Sequence, residues 1–241
     1  MKSIDELIAE FCPDGVEYKP LGEVCEFVKG HGLSKADIGD GTVPIVLYGE
    51  LYTTYGIYIT KVASCTSQEK VSACPTAKKG DLLLPLSSTT KDAAIGKVSA
   101  VMTDDCIFIG GDALILRHAQ IPGYMTYLLN GTWFEKEKVK CVHGTTIMHL
   151  MPNKLKNIRI PLPPLPVQKE IVRILDGFTG LIDELEAELA ARRKQYELYR
   201  DKLLTFGDDV ERRSLGKIGD FYSGLTGKCK SDFENGNAKF I

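Results

Sequence analysis

Three stretches of the chain gather side chains able to bind polar ligands. Tyr52-Thr53-Thr54-Tyr55 offers four hydroxyls, two of them with aromatic backing. Ser87-Ser88-Thr89-Thr90-Lys91 offers four hydroxyls and a cation directly after an apolar strand, where a structural turn more often holds Gly or Asn. His143-Gly144-Thr145-Thr146 follows Lys138 and Lys140. Each hydroxyl donates and accepts, and each cation can hold an anion. Read as plain structure, each stretch is an exposed polar turn. Covalent chemistry would take Cys141 with His143, or one of the other cysteines, as a nucleophile–base pair, since residues two apart on a strand point the same way. No third orienting motif accompanies that pair. There is no Gly-rich phosphate loop and no serine elbow, so catalysis by this chain is not expected.

The elements that must position these residues read as many short strands with a few helices. Residues 3–11 form an amphipathic helix on Ile4, Leu7, Ile8 and Phe11, ended by Pro13-Asp14-Gly15. Extended segments follow over 16–18 and 21–27, then strands over 43–47, 57–62, 81–86, 94–101, 106–109 and 113–116. Tyr52 to Tyr55 falls in a loop. Pro122 opens a helix that residues 134–140 continue. Residues 155–160 make a last strand before Pro161-Leu162-Pro163-Pro164-Leu165-Pro166. This pattern predicts an α+β (mixed α/β) domain over residues 1–160. The proline run is expected to stiffen a crossing and fix the start of the next element, rather than to serve as a polyproline ligand.

That next element is the longest in the chain. Over 167–206 the apolar positions Ile171, Leu175, Phe178, Ile182, Leu185, Leu189, Tyr196, Tyr199 and Leu203 step by four and three without a slip, Arg192 taking the one missing place. Alternating steps average 3.5 residues, the period of a coiled-coil seam rather than of a helix lying on a globular core. At about 1.5 Å per residue such a helix runs roughly 60 Å. It is expected to pair with a partner helix, either another copy of this chain or a second copy of the same element.

Composition narrows the class further. The 241 residues are 44% hydrophobic and 26% charged with a net charge of −2, an ordinary soluble balance. Nothing approaches the apolar length of a membrane span, and the N-terminus lacks a signal-peptide core. The seven cysteines are odd in number and form no CxxC pair, which points to reduced thiols in the cytoplasm rather than disulfides or zinc. A local basic patch runs through Lys136, Lys138, Lys140, Lys154, Lys156 and Arg159, opposed only by Glu135 and Glu137. Past the long helix, Leu21, Gly22, Phe27 and Gly30 recur at the same spacing as Leu215, Gly216, Phe221 and Gly224. The order is therefore domain, helix (161–206 with its proline junction), and the start of a second repeat over 207–241. That last stretch is too short to bury a core and is expected to be mobile or to pack on a borrowed surface.

Three stretches carry a family resemblance. They are Ile4-Asp5-Glu6-Leu7-Ile8 through Cys12-Pro13-Asp14-Gly15-Val16-Glu17-Tyr18-Lys19-Pro20-Leu21-Gly22-Glu23-Val24; Ile160 through the prolines to Val167-Gln168-Lys169-Glu170-Ile171; and the restart Arg213-Ser214-Leu215-Gly216. Together they resemble the specificity subunit of type I restriction–modification systems, truncated after one target recognition domain and its spacer helix. The resemblance implies a non-catalytic subunit that binds double-stranded DNA. Two recognition domains read the halves of a split target, and two antiparallel spacer helices set the gap. Modification (methyltransferase) subunits dock on this scaffold with S-adenosylmethionine, and restriction subunits add ATP- and Mg2+-dependent work. A half-subunit would act as a dimer and read an interrupted palindrome. Under this resemblance the three polar stretches become candidate base readers, and Lys91, Lys138 and Lys140 candidate phosphate holders. A coiled-coil structural adaptor without DNA specificity is the other reading.

Overall fold

The computed structural model describes residues 3–39, 41–88, 95–144 and 147–222. Helix α1 (Ile4–Phe11) starts at a capping box in which Ser3 and Glu6 bond each other's backbone N–H. Then come β1 (Tyr18–Pro20), α2 (Leu21–Val24), β2 (Glu26–Lys29), β3 (Val43–Val46), α3 (Glu50–Thr53), β4 (Tyr58–Ile59) and β5 (Ser64–Thr66). Strands β6 (Thr76–Ala77), β7 (Leu82–Pro85), β8 (Ser87–Ser88), β9 (Ser99–Val101), β10 (Ile107–Ile109) and β11 (Ala113–Arg117) follow. Helices α4 (Pro122–Asn130) and α5 (Thr132–Val139) precede β12 (Val142–His143), β13 (Met148–Leu150), α6 (Pro152–Leu155), β14 (Arg159–Pro161) and α7 (Leu165–Leu204).

A five-stranded sheet in the order β2-β11-β7-β9-β4 forms the centre, parallel only at β4–β9. Its middle strands are buried on both faces, which is why 82–85 and 113–117 read as apolar runs instead of alternating. Leu82, Leu84, Leu114 and Leu116 turn toward Met125, Leu129, Phe134 and Leu155 of the helices. Leu83, Ala113 and Ile115 turn toward Val46, Ala77, Ile107 and Ile109 of a second sheet, ordered β5-β3-β10-β6. The domain is thus a mixed α/β sandwich of helices, sheet and sheet. A small sheet, β12-β13-β8, sits at its edge, and β1 pairs with β14 to bring residues 18–20 against 159–161.

Local structure departs from the sequence expectation in several places. Residues 21–24 make a helical turn rather than strand, because the Leu21 and Gly22 N–H groups bond the carbonyls of Ile158 and Lys156. Residues 152–155 likewise form a turn, so the last strand is only Arg159–Pro161. Glu50 to Thr53 is a helical turn instead of loop, held by the Glu50 carboxylate on the Leu47 N–H and the Ser64 hydroxyl. The long helix begins at Leu165, ahead of the expected start, since Pro166 lies in the first turn where its missing N–H costs nothing.

The chain divides into two compact units, Met1–Leu181 and Ile182–Ile241. In the first, α7 is pinned by Val167, Gln168, Ile171 and Val172 against the helical side of the core. In the second, the described residues of α7 and of the turn Leu215–Lys217 are all exposed. That turn stands where the repeat predicted the counterpart of α2, while Gly224 lies outside the described residues. Among the described residues no helix is long and apolar enough to cross a membrane.

Candidate nucleic-acid interface

The three polar stretches, far apart in sequence, meet at one edge of the domain. Strand β8 pairs with β13, setting Ser87 opposite His149 and Ser88 opposite Met148. Strand β13 pairs in turn with β12, setting His149 opposite His143. Tyr52 reaches the same place from α3, accepting the Gly96 N–H at 3.0 Å and sharing a hydrogen bond with Ser88. Two short strands and a helical turn at a sheet edge thus replace the three independent turns of the sequence reading.

Within this edge the burial of each candidate decides what it can touch. Thr53 and Thr54 are exposed, their hydroxyls 3.3 Å apart, with Thr53 also donating to the Gly49 carbonyl. Tyr52 is half-buried, and burial pushes its phenol upward. Tyr55 is a core residue whose hydroxyl accepts the Ala63 N–H at 2.9 Å, so it does not belong with the readers. Ser87 and Ser88 are also corrected from an exposed loop to a strand, at 2% and 3% exposure. Thr89, Thr90, Lys91, Thr145 and Thr146 lie outside the described residues.

The largest correction concerns Lys138. It is 1% exposed, donates to the Gly96 carbonyl at 3.0 Å and lies over the Phe134 ring. Burial holds its ammonium down to about 8. A side chain enclosed in this way cannot reach a phosphate, and its chemistry is structural: it anchors the chain at Gly96. Lys140 is exposed and shares an ion pair with Glu137 at 2.6 Å, an exposed pair of little strength that a phosphate can replace. Cys141 is buried before β12 with its thiol on the Glu137 carbonyl, whereas His143 is exposed. The nucleophile–base pair considered from sequence is therefore not assembled.

His143 and His149 stack with ring centroids 5.5 Å apart, and the His143 Nδ1 lies 3.2 Å from the His149 carbonyl. The His149 Nδ1 lies 2.8 Å from the Ser87 Oγ, which donates to the Asp112 Oδ2 at 3.2 Å. Ser87 has one proton to give. With that proton on Asp112, His149 must carry its own on Nδ1 and donate to Ser87.

Asp112 opens onto a cleft of about 880 Å³ that sequence reading did not find. Lys29, His31 and Lys35 line it, as do Tyr48 and the candidate Thr53. Its floor exists because two glycine loops touch: a Cβ on Gly30 would meet the Gly110 carbonyl oxygen at 1.9 Å. Gly30-His31-Gly32 and Gly110-Gly111-Asp112 carried the signal, two polar residues beside glycines, but nothing in one sequence pairs loops so far apart.

Comparison with known proteins identifies the family. A family model described as the type I restriction modification DNA specificity domain matches residues 13–192. The EcoR124I/EcoR124II specificity subunit of Escherichia coli is 51% identical over 94 residues, 36% of this chain and 23% of that protein. The EcoprrI specificity subunit, also of Escherichia coli, is 29% identical over 228 residues, 84% of this chain and 54% of that protein. Among solved structures, the HsdS subunit from Thermoanaerobacter tengcongensis aligns with a TM-score of 0.51 at 22% identity, covering 77% of this chain and 44% of that one. A chain from a study of complex assembly and conformational transition of the type I R-M system aligns at 0.55 and 23% identity, covering 78% and 44%. These two structural likenesses show the fold. The chain spans about half the length or less of each of these relatives.

Proposed function

The chain belongs to the type I restriction modification DNA specificity family, and from that premise we propose that it is a DNA-recognition half-subunit. Its domain reads one half of a split double-stranded target, and its long helix supplies one side of an antiparallel spacer. Two copies so paired present two identical half-sites and scaffold the methyltransferase subunits. The work of S-adenosylmethionine, ATP and Mg2+ belongs to those modification and restriction subunits, and this chain catalyses nothing. The complex acts in the cytoplasm.

The observation that carries this reading is the exposed seam. Leu185 and Leu189 are 55% and 52% exposed on α7, and Phe178, Ile182, Tyr196, Tyr199 and Leu203 continue the same stripe. An apolar stripe at coiled-coil spacing, attached to a domain whose polar loops converge at one edge, calls for a partner helix and a polar ligand together. Arg192 interrupts the stripe, engaged with Gln195 and Glu188 on its own helix. A polar seam position of this kind sets register at a cost in stability.

The test is the mass of the purified chain in solution, alone and mixed with its modification subunit. A dimer, or a complex holding two copies of each, supports the half-subunit reading. Leu185→Glu with Leu189→Glu should then return the mass to that of a monomer, since a charge buried in a seam is costly. A wild-type monomer that ignores the modification subunit overturns the proposal.

A further inference from the structure

We propose that Asp112, which sequence reading passed over, is a base-reading residue of this domain, selecting a base that presents an amino group, while Lys29 and Lys35 hold the adjoining phosphates. This rests on the DNA-recognition reading above and names the chemistry of its contact.

Lys29 and Lys35 are exposed and take part in no ion pair among the described residues. Both line the cleft, so its rim is suited to a polyanion. A carboxylate in the same cleft repels phosphate and needs a donor. Glu50, the other carboxylate lining it, is already committed, one oxygen to the Leu47 N–H and the other to the Ser64 hydroxyl. Asp112 is not: Ser87 occupies Oδ2, and no described residue donates to Oδ1. Tyr48 also lines the cleft, half-buried, and supplies an aromatic ring of the kind on which bases stack.

Holding Asp112 is the function of the groups behind it. Its backbone is left-handed at φ 58°, a conformation Asp tolerates, and its carbonyl accepts the Leu86 N–H at 2.7 Å. The side chain is fixed from the other side through Ser87 by His149. A carboxylate locked in this way cannot turn from an unfavourable edge, and rigidity of that kind turns attraction into discrimination. In the major groove cytosine N4 and adenine N6 donate, whereas guanine and thymine present acceptors to the same position. Asp112 therefore favours cytosine or adenine and disfavours guanine and thymine. Ser87 and His149 are positioning residues in this account, since they act through Asp112.

The experiment selects bound sequences from a pool of randomised DNA duplexes, using the full chain assembled with its modification subunit. Wild type is compared with Asp112→Asn and with the pair Lys29→Ala and Lys35→Ala. The Asn variant keeps the shape and the Ser87 contact, so it folds where a smaller residue could fail. The expected result is one base pair in the wild-type motif whose discrimination falls about tenfold in Asp112→Asn, every other position standing. The lysine pair should weaken all sequences alike and lower the salt dependence by about one unit per residue removed. An Asp112→Asn motif identical to wild type overturns the inference, as does a loss shared equally by every position of the motif. A wild-type complex that enriches no motif overturns the recognition reading itself.

Discussion

Gln168 on the long helix and Gln120 before α4 are joined side chain to side chain, Nε2 donating to Oε1 at 2.8 Å. Gln168 is fully buried, and its amide is satisfied on every side. Nε2 also donates to the Pro163 carbonyl at 2.8 Å, and Oε1 accepts the Ile121 N–H at 3.1 Å. One side chain therefore ties the proline junction, the start of α4 and the first turn of α7. This explains physically why the glutamine follows the proline run: it is the bolt between helix and domain.

Replacing that bolt should be expensive. Gln168→Leu fills the volume but leaves the Ile121 N–H and the buried Pro163 carbonyl without their partner. A loss of about 2–3 kcal/mol is expected, the cost of stranding buried polar groups. Urea unfolding followed by circular dichroism measures it, and a midpoint equal to wild type would show that the junction holds without the amide.

The second fastening of α7 depends on a glycine. A Cβ on Gly123 of α4 would meet the Tyr58 Oη at 2.5 Å and the Val172 Cγ1 at 2.9 Å. Tyr58 in turn donates to the Asp176 carboxylate at 2.7 Å, the same oxygen that Tyr127 reaches at 2.8 Å. Gly123→Ala should cost about 1–3 kcal/mol by overpacking. Adding Tyr58→Phe removes the nearest clashing atom, so the double variant should lose less than the sum of the two single ones. Strict additivity in a double-mutant cycle would place the strain on Val172 instead.

Lys138 sets a pH dependence whose sign is opposite to that of an ion pair. Burial lowers its pKa from 10.5 to about 8, so between those values the unfolded chain binds more protons than the folded one. Its contribution to stability must rise as the pH climbs from 8 toward 10.5, and the penalty for burying the charge is complete below 8. In Lys138→Met that rise disappears. Chemical unfolding at pH 7, 8, 9 and 10 checks the difference between the two proteins. Parallel profiles would mean that folding leaves the Lys138 amine no harder to protonate than in the unfolded chain.

What the sequence could reveal was whatever depends on near neighbours. The seam of α7 is legible because a helix repeats its face every few residues, and Leu185 and Leu189 need no distant partner to lie on one stripe. The apolar runs at 82–85 and 113–117 announce doubly buried strands for the same reason. Polar residues carry no such signal. Lys138, Ser87 and Tyr55 read as exposed ligand contacts because their types are usually exposed, and each is buried by a partner the chain brings from elsewhere: Gly96, His149 and Ala63. The cleft is further from view, since it requires Gly30 to touch Gly110 and so bring Lys29 and Lys35 to the mouth that Asp112 faces. Sequence by itself determined most of the strands and the apolar stripe of the long helix, through local periodicity. Only the tertiary structure decided which polar groups are sealed in and which are left to meet a ligand, because burial depends on contacts between residues that the chain keeps far apart.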